Sequence, residues 1–135
     1  MTSRNFNRAI VRTPSRSVID GLRAVDTGAP LYENVLREHA VYVAALEAAG
    51  VVVDTLPALE AFPDSVFVED TALVFTGAAI VLRPGAPTRR GEADEMAPTL
   101  ALHFEQVLHL SKGSAEGGDV LATANAVFIG LSART

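Results

Sequence analysis

Pro63-Asp64-Ser65-Val66-Phe67-Val68-Glu69-Asp70 places three carboxylates within seven residues, with an aromatic ring between them. A guanidinium is planar and cationic, its N–H donors form a fork that fits carboxylates, and its face stacks on aromatic rings. Asp64, Glu69, Asp70 and Phe67 are therefore the residue types a guanidinium ligand would need. On spacing alone, a solvated acidic turn capping the next element is the stronger reading. Glu116-Gly117-Gly118-Asp119 forms a second acidic cluster. Its paired glycines permit close backbone approach to a ligand and could aim Glu116 into a cleft. Spacing again favours an ordinary acidic turn before a strand. Arg83, Arg89, Arg90 and Arg134 fall in loops at the ends of strands. Arginines converging there could grip a substrate carboxylate bidentately. Solvated surface charge is the alternative, and it is kept for Arg83 and Arg90.

The other reactive types are sparse. His39 lies on a predicted helix and is read as structural or exposed, and His103 falls at the end of a second helix. His109 alternates with apolar residues on a predicted strand and is read as structural. No Ser-His-Asp arrangement and no metal-ligand spacing is present. The absence of cysteine excludes disulfides, Cys-based zinc sites and any thiol nucleophile within these residues.

The elements that must position these groups follow from periodicity. Ala9–Arg12 is a short apolar strand ended by Thr13-Pro14, and residues 17–26 read as a loop. Tyr32, Val35, Leu36, Val43 and Leu46 share one face of a helix over 32–49, with Gly50 just past its end. Val51–Val53 is a buried strand. Leu73–Phe75 and Ala79–Leu82 form a hairpin around Thr76-Gly77, and residues 84–91 form a loop. A helix over 92–104 contains Pro98, which costs about 3 kcal/mol or kinks the helix. Val107–Leu110 is a strand. Val120–Ala122 and Val127–Ile129 form a second hairpin around Asn125. Asp70 with its hairpin recurs as Asp119 with its hairpin after 49 residues. A fixed period implies supersecondary units stacked to share a core. A helix follows the earlier units and none follows the last.

Composition bounds the rest. The 135 residues are 49% hydrophobic and 20% charged, fitting one globular domain. A net charge of −5 and only short Arg pairs argue against a nucleic-acid partner. Residues 1–12 hold no signal-peptide apolar core, and no apolar run approaches the roughly 20 residues of a membrane helix. No membrane association is expected, and a cytoplasmic protein is the default.

Taken together and in order, Ser17 to Leu22 (SVIDGL), PDSVFVED, Arg83 to Glu92 (RPGAPTRRGE), Glu116 to Leu121 (EGGDVL) and Ser132 to Thr135 (SART) resemble the dimethylarginine dimethylaminohydrolases of the pentein superfamily. The likeness runs from about Asn5 to Thr135. It implies an α/β fold, the pentein propeller of ββαβ-type repeats, with residues 1–135 as the N-terminal portion of one domain and about half the ring. It implies hydrolysis of Nω-methylated arginine to citrulline and methylamine or dimethylamine through a covalent cysteine intermediate, with no cofactor and no metal. The ligand is then a small guanidine. By this resemblance Glu116 is the catalytic acidic partner of the family histidine. Leu22, Asp64, Phe67, Glu69, Asp70, Arg89 and Arg134 bind substrate. Leu22 would do so through its flap-loop backbone, Asp64 at the amino-acid end, Glu69 and Asp70 at the guanidinium, and the two arginines at the carboxylate.

The family cysteine and histidine are expected beyond residue 135. Val107-Leu108-His109-Leu110 resembles the histidine motif superficially but precedes EGGDVL, so the role is not transferred to His109. The 135 residues alone are expected to be inactive, and a homodimer or a missing C-terminal half is the expected partner. An arginine deiminase-like enzyme or another guanidine hydrolase is one alternative. A non-catalytic guanidinium-binding remnant or half-subunit is another.

Overall fold

A computed structural model describes residues 6–135, so Asn5, where the resemblance begins, lies outside them. The chain divides into two compact units, the first ending at Val66 and the second spanning Phe67–Thr135. Sequence suggests one domain.

In the first unit, strand β1 (Arg8–Arg12) pairs in parallel with strand β2 (Val52–Leu56), Ala9 opposite Val53 and Val11 opposite Thr55. Parallel neighbours need a long crossover, which helix α1 (Tyr32–Ala48) supplies. Its half-buried residues are Tyr32, Val35, Leu36, Val43 and Leu46, the face expected from periodicity, together with Asn34 and His39. Burial holds the His39 imidazole below its ordinary pKa. Gly50, at φ 84°, turns the chain out of the helix. The segment expected as a plain loop begins with a short 3-10 turn at Arg16–Asp20.

The second unit opens with a 3-10 turn at Val68–Thr71, followed by strands β3 (Ala72–Phe75) and β4 (Ala78–Val81), paired antiparallel across Thr76-Gly77. Another 3-10 turn, Pro87–Arg89, leads into helix α2 (Arg90–His103), so this helix starts two residues before the expected Glu92. Strand β5 (Gln106–His109) returns parallel to β4. The core is Ala79, Val81 and Leu82 from β4 and its end, with Ala93, Met96 and Leu100 of α2. Spacings of three and four residues put the α2 members on one face. Pro98 lies inside α2. Its missing N–H costs about 3 kcal/mol, and burial of Met96 and Leu100 at roughly 1.5–3 kcal/mol each offsets this. His109, read as structural, is exposed on β5.

The second hairpin, β6 (Val120–Ala122) and β7 (Val127–Ile129), follows a third such turn at Gly117–Asp119. The repeat expected from sequence is therefore present as a 3-10 turn plus antiparallel hairpin, with Asp70 and Asp119 in equivalent turns. Leu121, Phe128, Ile129 and Leu131 are exposed on or beside the second hairpin. Apolar strands left open in this way promote association. Sedimentation velocity is expected to show concentration-dependent self-association of the isolated chain. A clean monomer over a tenfold or wider concentration range would refute this. No helix among the described residues is long and apolar enough to cross a membrane.

Candidate active site

The expected site residues fall into two groups. In the first unit, the Asp64 carboxylate is buried and accepts the Leu22 backbone N–H at 3.0 Å and 3.2 Å on its two oxygens. Asp64 thus fixes the loop carrying Leu22, whose side chain is exposed.

The second unit gathers the rest around two turns. Arg89 is 5% exposed, with Nη1 donating to Asp70 Oδ2 at 2.7 Å and Nη2 to Glu92 Oε2 at 2.8 Å. Its Nε reaches both Glu92 oxygens at 3.1 Å, and Nη2 also donates to the Phe67 carbonyl at 3.4 Å. Burial opposes the charge on Arg89, but the hydrogen bonds and fields of Glu92 and Asp70 outweigh it, so the guanidinium holds its proton more firmly than usual. Expected at the substrate carboxylate, Arg89 here is taken up by two internal carboxylates. The Phe67 side chain is exposed.

Asp70 Oδ1 accepts the Gly118 N–H at 2.8 Å, which ties the first turn to the second. Gly117 packs so closely on the Glu69 carbonyl that a Cβ there would overlap that oxygen. Backbone on both sides cannot yield as a flexible side chain would. Gly117→Ala is therefore expected to lower stability by about 1–3 kcal/mol, read as a lower urea midpoint. An unchanged midpoint would show that the contact is loose.

Glu116 is 1% exposed, and its backbone N–H donates to Thr135 Oγ1 at 3.3 Å. Arg134 Nη1 lies 3.0 Å from Glu116 Oε2, yet neither carboxylate oxygen has an aligned hydrogen-bond donor. The Arg134 side chain is 55% exposed. A buried carboxylate with bare oxygens is costly unless something charged completes it. Proximity to Arg134 lowers that cost, and both oxygens lie beneath the surface rather than in solvent.

Two other carboxyls are shifted. Desolvation, helped by Asp70, raises Glu69 above its ordinary 4.5, against its backbone hydrogen bond and Arg89. Its ionisation therefore weakens the fold, and stability present at acid pH is lost as pH rises through the raised value. Glu69 remains largely exposed, so the effect is small. Glu69→Gln is expected to flatten the stability–pH profile from pH 4.5 upward, checked by thermal melts across pH. An unchanged profile would refute it. The Asp119 carboxyl is held below its ordinary value by hydrogen bonds from Ser132 and Thr135.

No protein-family model matches the chain. A curated N(G),N(G)-dimethylarginine dimethylaminohydrolase from Pseudomonas aeruginosa is 40% identical over 132 residues, covering 96% of this chain and 52% of that protein. A solved dimethylarginine dimethylaminohydrolase from Pseudomonas aeruginosa, a mutant complexed with citrulline, superposes with a TM-score of 0.93 at 41% identity, over 96% of this chain and 52% of that one. The chain belongs to the dimethylarginine dimethylaminohydrolase family. It spans about half the length of the curated relatives it matches. The N-terminal domain of ArgZ, an arginine dihydrolase, shares the fold with a TM-score of 0.75 at 17% identity, over 87% of this chain and 45% of that one.

Sequence reasoning missed Glu92 and singled Asp119 out only as a member of the second acidic cluster and of the repeat. Glu92 follows Arg89 by three residues at the start of α2, a spacing that puts both side chains on one face and could have signalled the pair. Nothing local signalled the partners of Asp119, because Ser132 and Thr135 come from the far side of the β6–β7 hairpin.

Proposed function

We propose that this chain supplies the guanidinium-binding part of an amidinohydrolase that converts Nω-methylated arginine to citrulline and methylamine or dimethylamine. The observation that carries this reading is Glu116, buried with both oxygens unsatisfied beside Arg134. The relatives named for this activity support it. Asp70 and Glu69 face the guanidinium, with Phe67 against its plane. Arg134 takes the substrate carboxylate, and Arg89 adds its positive field while holding Asp70. Leu22 and Asp64 receive the amino-acid end through the flap loop. The two βαβ crossovers and two like hairpins are consistent with part of a pentein ring.

In the proposed reaction a cysteine thiolate attacks the guanidinium carbon, and the tetrahedral adduct expels methylamine or dimethylamine after proton transfer from a histidine. Water deprotonated by the same histidine then attacks the thiouronium carbon. The C–S bond breaks, releasing citrulline and restoring the thiolate. By the resemblance, both groups are expected outside these residues. Glu116 would orient the histidine and stabilise its charge.

Calorimetric titration of the chain with dimethylarginine, arginine and citrulline tests the binding half of this reading. The cationic guanidines are expected to bind more tightly than citrulline, whose neutral urea gains less from buried carboxylates. Glu69→Gln is expected to weaken dimethylarginine by about tenfold, the scale of one charge-assisted hydrogen bond. No heat at millimolar ligand would remove the reading. In an enzyme containing the remaining residues, comparable kcat/KM for arginine and dimethylarginine would favour the deiminase-like alternative.

A further inference from the structure

We propose that Asp119 is a positioning residue that fixes Arg134 over Glu116 and thereby sets recognition of the substrate carboxylate, an inference that rests on the role assigned to Arg134 above. The Asp119 backbone and carboxylate lock the segment that follows β7. Its Oδ2 accepts two hydroxyl hydrogens, Ser132 Oγ at 2.7 Å and Thr135 Oγ1 at 2.7 Å. Each hydroxyl oxygen in turn accepts a backbone N–H: Ser132 Oγ from Arg134 at 3.0 Å, Thr135 Oγ1 from Glu116 at 3.3 Å. A hydroxyl has one hydrogen to give. With both oxygens acting as acceptors, both hydrogens must find an acceptor, and Asp119 Oδ2 is that atom. The Asp119 carbonyl also accepts Gly130 N–H at 2.8 Å, and its own N–H donates to the Glu116 carbonyl at 3.1 Å.

Asp119 is thus bonded at once to the turn bearing Glu116 and to the segment bearing Arg134. A second contact closes the other side: a Cβ on Gly85 would lie 2.7 Å from Arg134 Cα and from its carbonyl oxygen. The Arg134 backbone is held between Gly85 and the Asp119 network. Its guanidinium, otherwise half in solvent, is left 3.0 Å from Glu116. A long exposed arginine side chain makes a weak, mobile contact unless its backbone is fixed. Fixing it is what turns Arg134 into a preorganised anion partner.

Asparagine at 119 can place its amide oxygen where Oδ2 sits and still accept both hydroxyls, whereas alanine leaves both hydrogens without an acceptor. The experiment titrates the 135-residue chain with dimethylarginine and with its decarboxylated counterpart, which carries the same guanidine and no carboxylate. Wild type is expected to favour the carboxylated ligand by about tenfold or more, the scale of a charge-assisted contact. Asp119→Ala is expected to lose that preference with the decarboxylated ligand nearly unchanged, and Asp119→Asn to keep most of it. The steady-state 15N NOEs of the Ser132 and Arg134 amides are expected to fall in Asp119→Ala and recover in Asp119→Asn, with those of Ala79 and Leu100 constant. Should Asp119→Ala fail to fold, the Ser132→Ala/Thr135→Val pair removes the same two bonds from the other side and is expected to show the same losses. Retention of either the preference or the NOEs in the variant lacking these bonds overturns the proposal. A wild-type chain that does not prefer the carboxylated ligand instead overturns the role of Arg134, and the NOEs still decide whether Asp119 orders its segment.

Discussion

Arg89→Leu is expected to destabilise the second unit by about 3–5 kcal/mol, the cost of stripping a buried ion pair of one partner. Glu92 is 2% exposed and accepts three hydrogen bonds from Arg89, at 2.8–3.1 Å. Leucine fills part of the volume and takes these three donors from a buried carboxylate. Asp70 loses its 2.7 Å partner as well, keeping the Gly118 N–H. Because a domain of this size holds only about 5–15 kcal/mol in total, the variant should sit near the edge of unfolding. Urea denaturation followed by circular dichroism checks it. The decisive comparison is the double variant Arg89→Leu/Glu92→Leu. If the damage comes from an orphaned charge, removing Glu92 too should recover part of the loss, since apolar replacements of a whole buried pair are often tolerated. Arg89→Lys should fall between, because one ammonium cannot reproduce the fork that spans Asp70 and Glu92. A single variant as stable as wild type, or a double variant worse than the single, would mean that the pair does not hold this turn.

The same pair shows where sequence stops being legible. Elements defined by local period were readable: the α1 face from Tyr32 to Leu46, both hairpins, and the β5 segment after α2 lie where apolar spacing puts them. The acidic motifs were not legible as chemistry from spacing, which favours plain acidic turns; only the resemblance of five motifs in order sets them apart. Partners were not readable. Arg89 and Asp70 are 19 residues apart, and Gly118 and Asp70 are 48 apart. Packing of the 3-10 turns at Val68–Thr71, Pro87–Arg89 and Gly117–Asp119 brings them together, and the 49-residue period implies stacked units without naming which side chains meet. The α2 start was misplaced by two residues because Pro87 opens a 3-10 turn that runs directly into the helix, where a proline is more often read as loop. His109 was misread for a related reason: alternation marks a strand, but only the sheet order decides that β5, at an edge, leaves this position in water.

Incubated with dimethylarginine, the pure 135-residue chain is expected to release no citrulline above the uncatalysed background. Displacement at a guanidinium carbon needs a nucleophile already substantially ionised near neutral pH, and a thiol meets this far better than a hydroxyl. The chain has no cysteine. Buried hydroxyls such as Ser65 and Thr71 remain, but Thr71 Oγ1 already donates to the Val68 carbonyl at 2.7 Å. Glu116 and Asp70 can bind and polarise a cation without forming the bond that the reaction requires. Removing the nucleophile from a well-formed hydrolase site costs on the order of a millionfold in turnover. What remains should therefore be lost in the blank. A colorimetric citrulline assay run beside calorimetry on the same preparation separates the outcomes. Binding without citrulline is the expected result, and it would mean that recognition of the guanidine is complete in these residues while bond making is supplied from outside them. Citrulline formed in proportion to chain concentration, and lost in Glu116→Gln, would instead put the nucleophile on a group described here. Neither binding nor citrulline from a folded chain would remove the guanidine-binding reading itself.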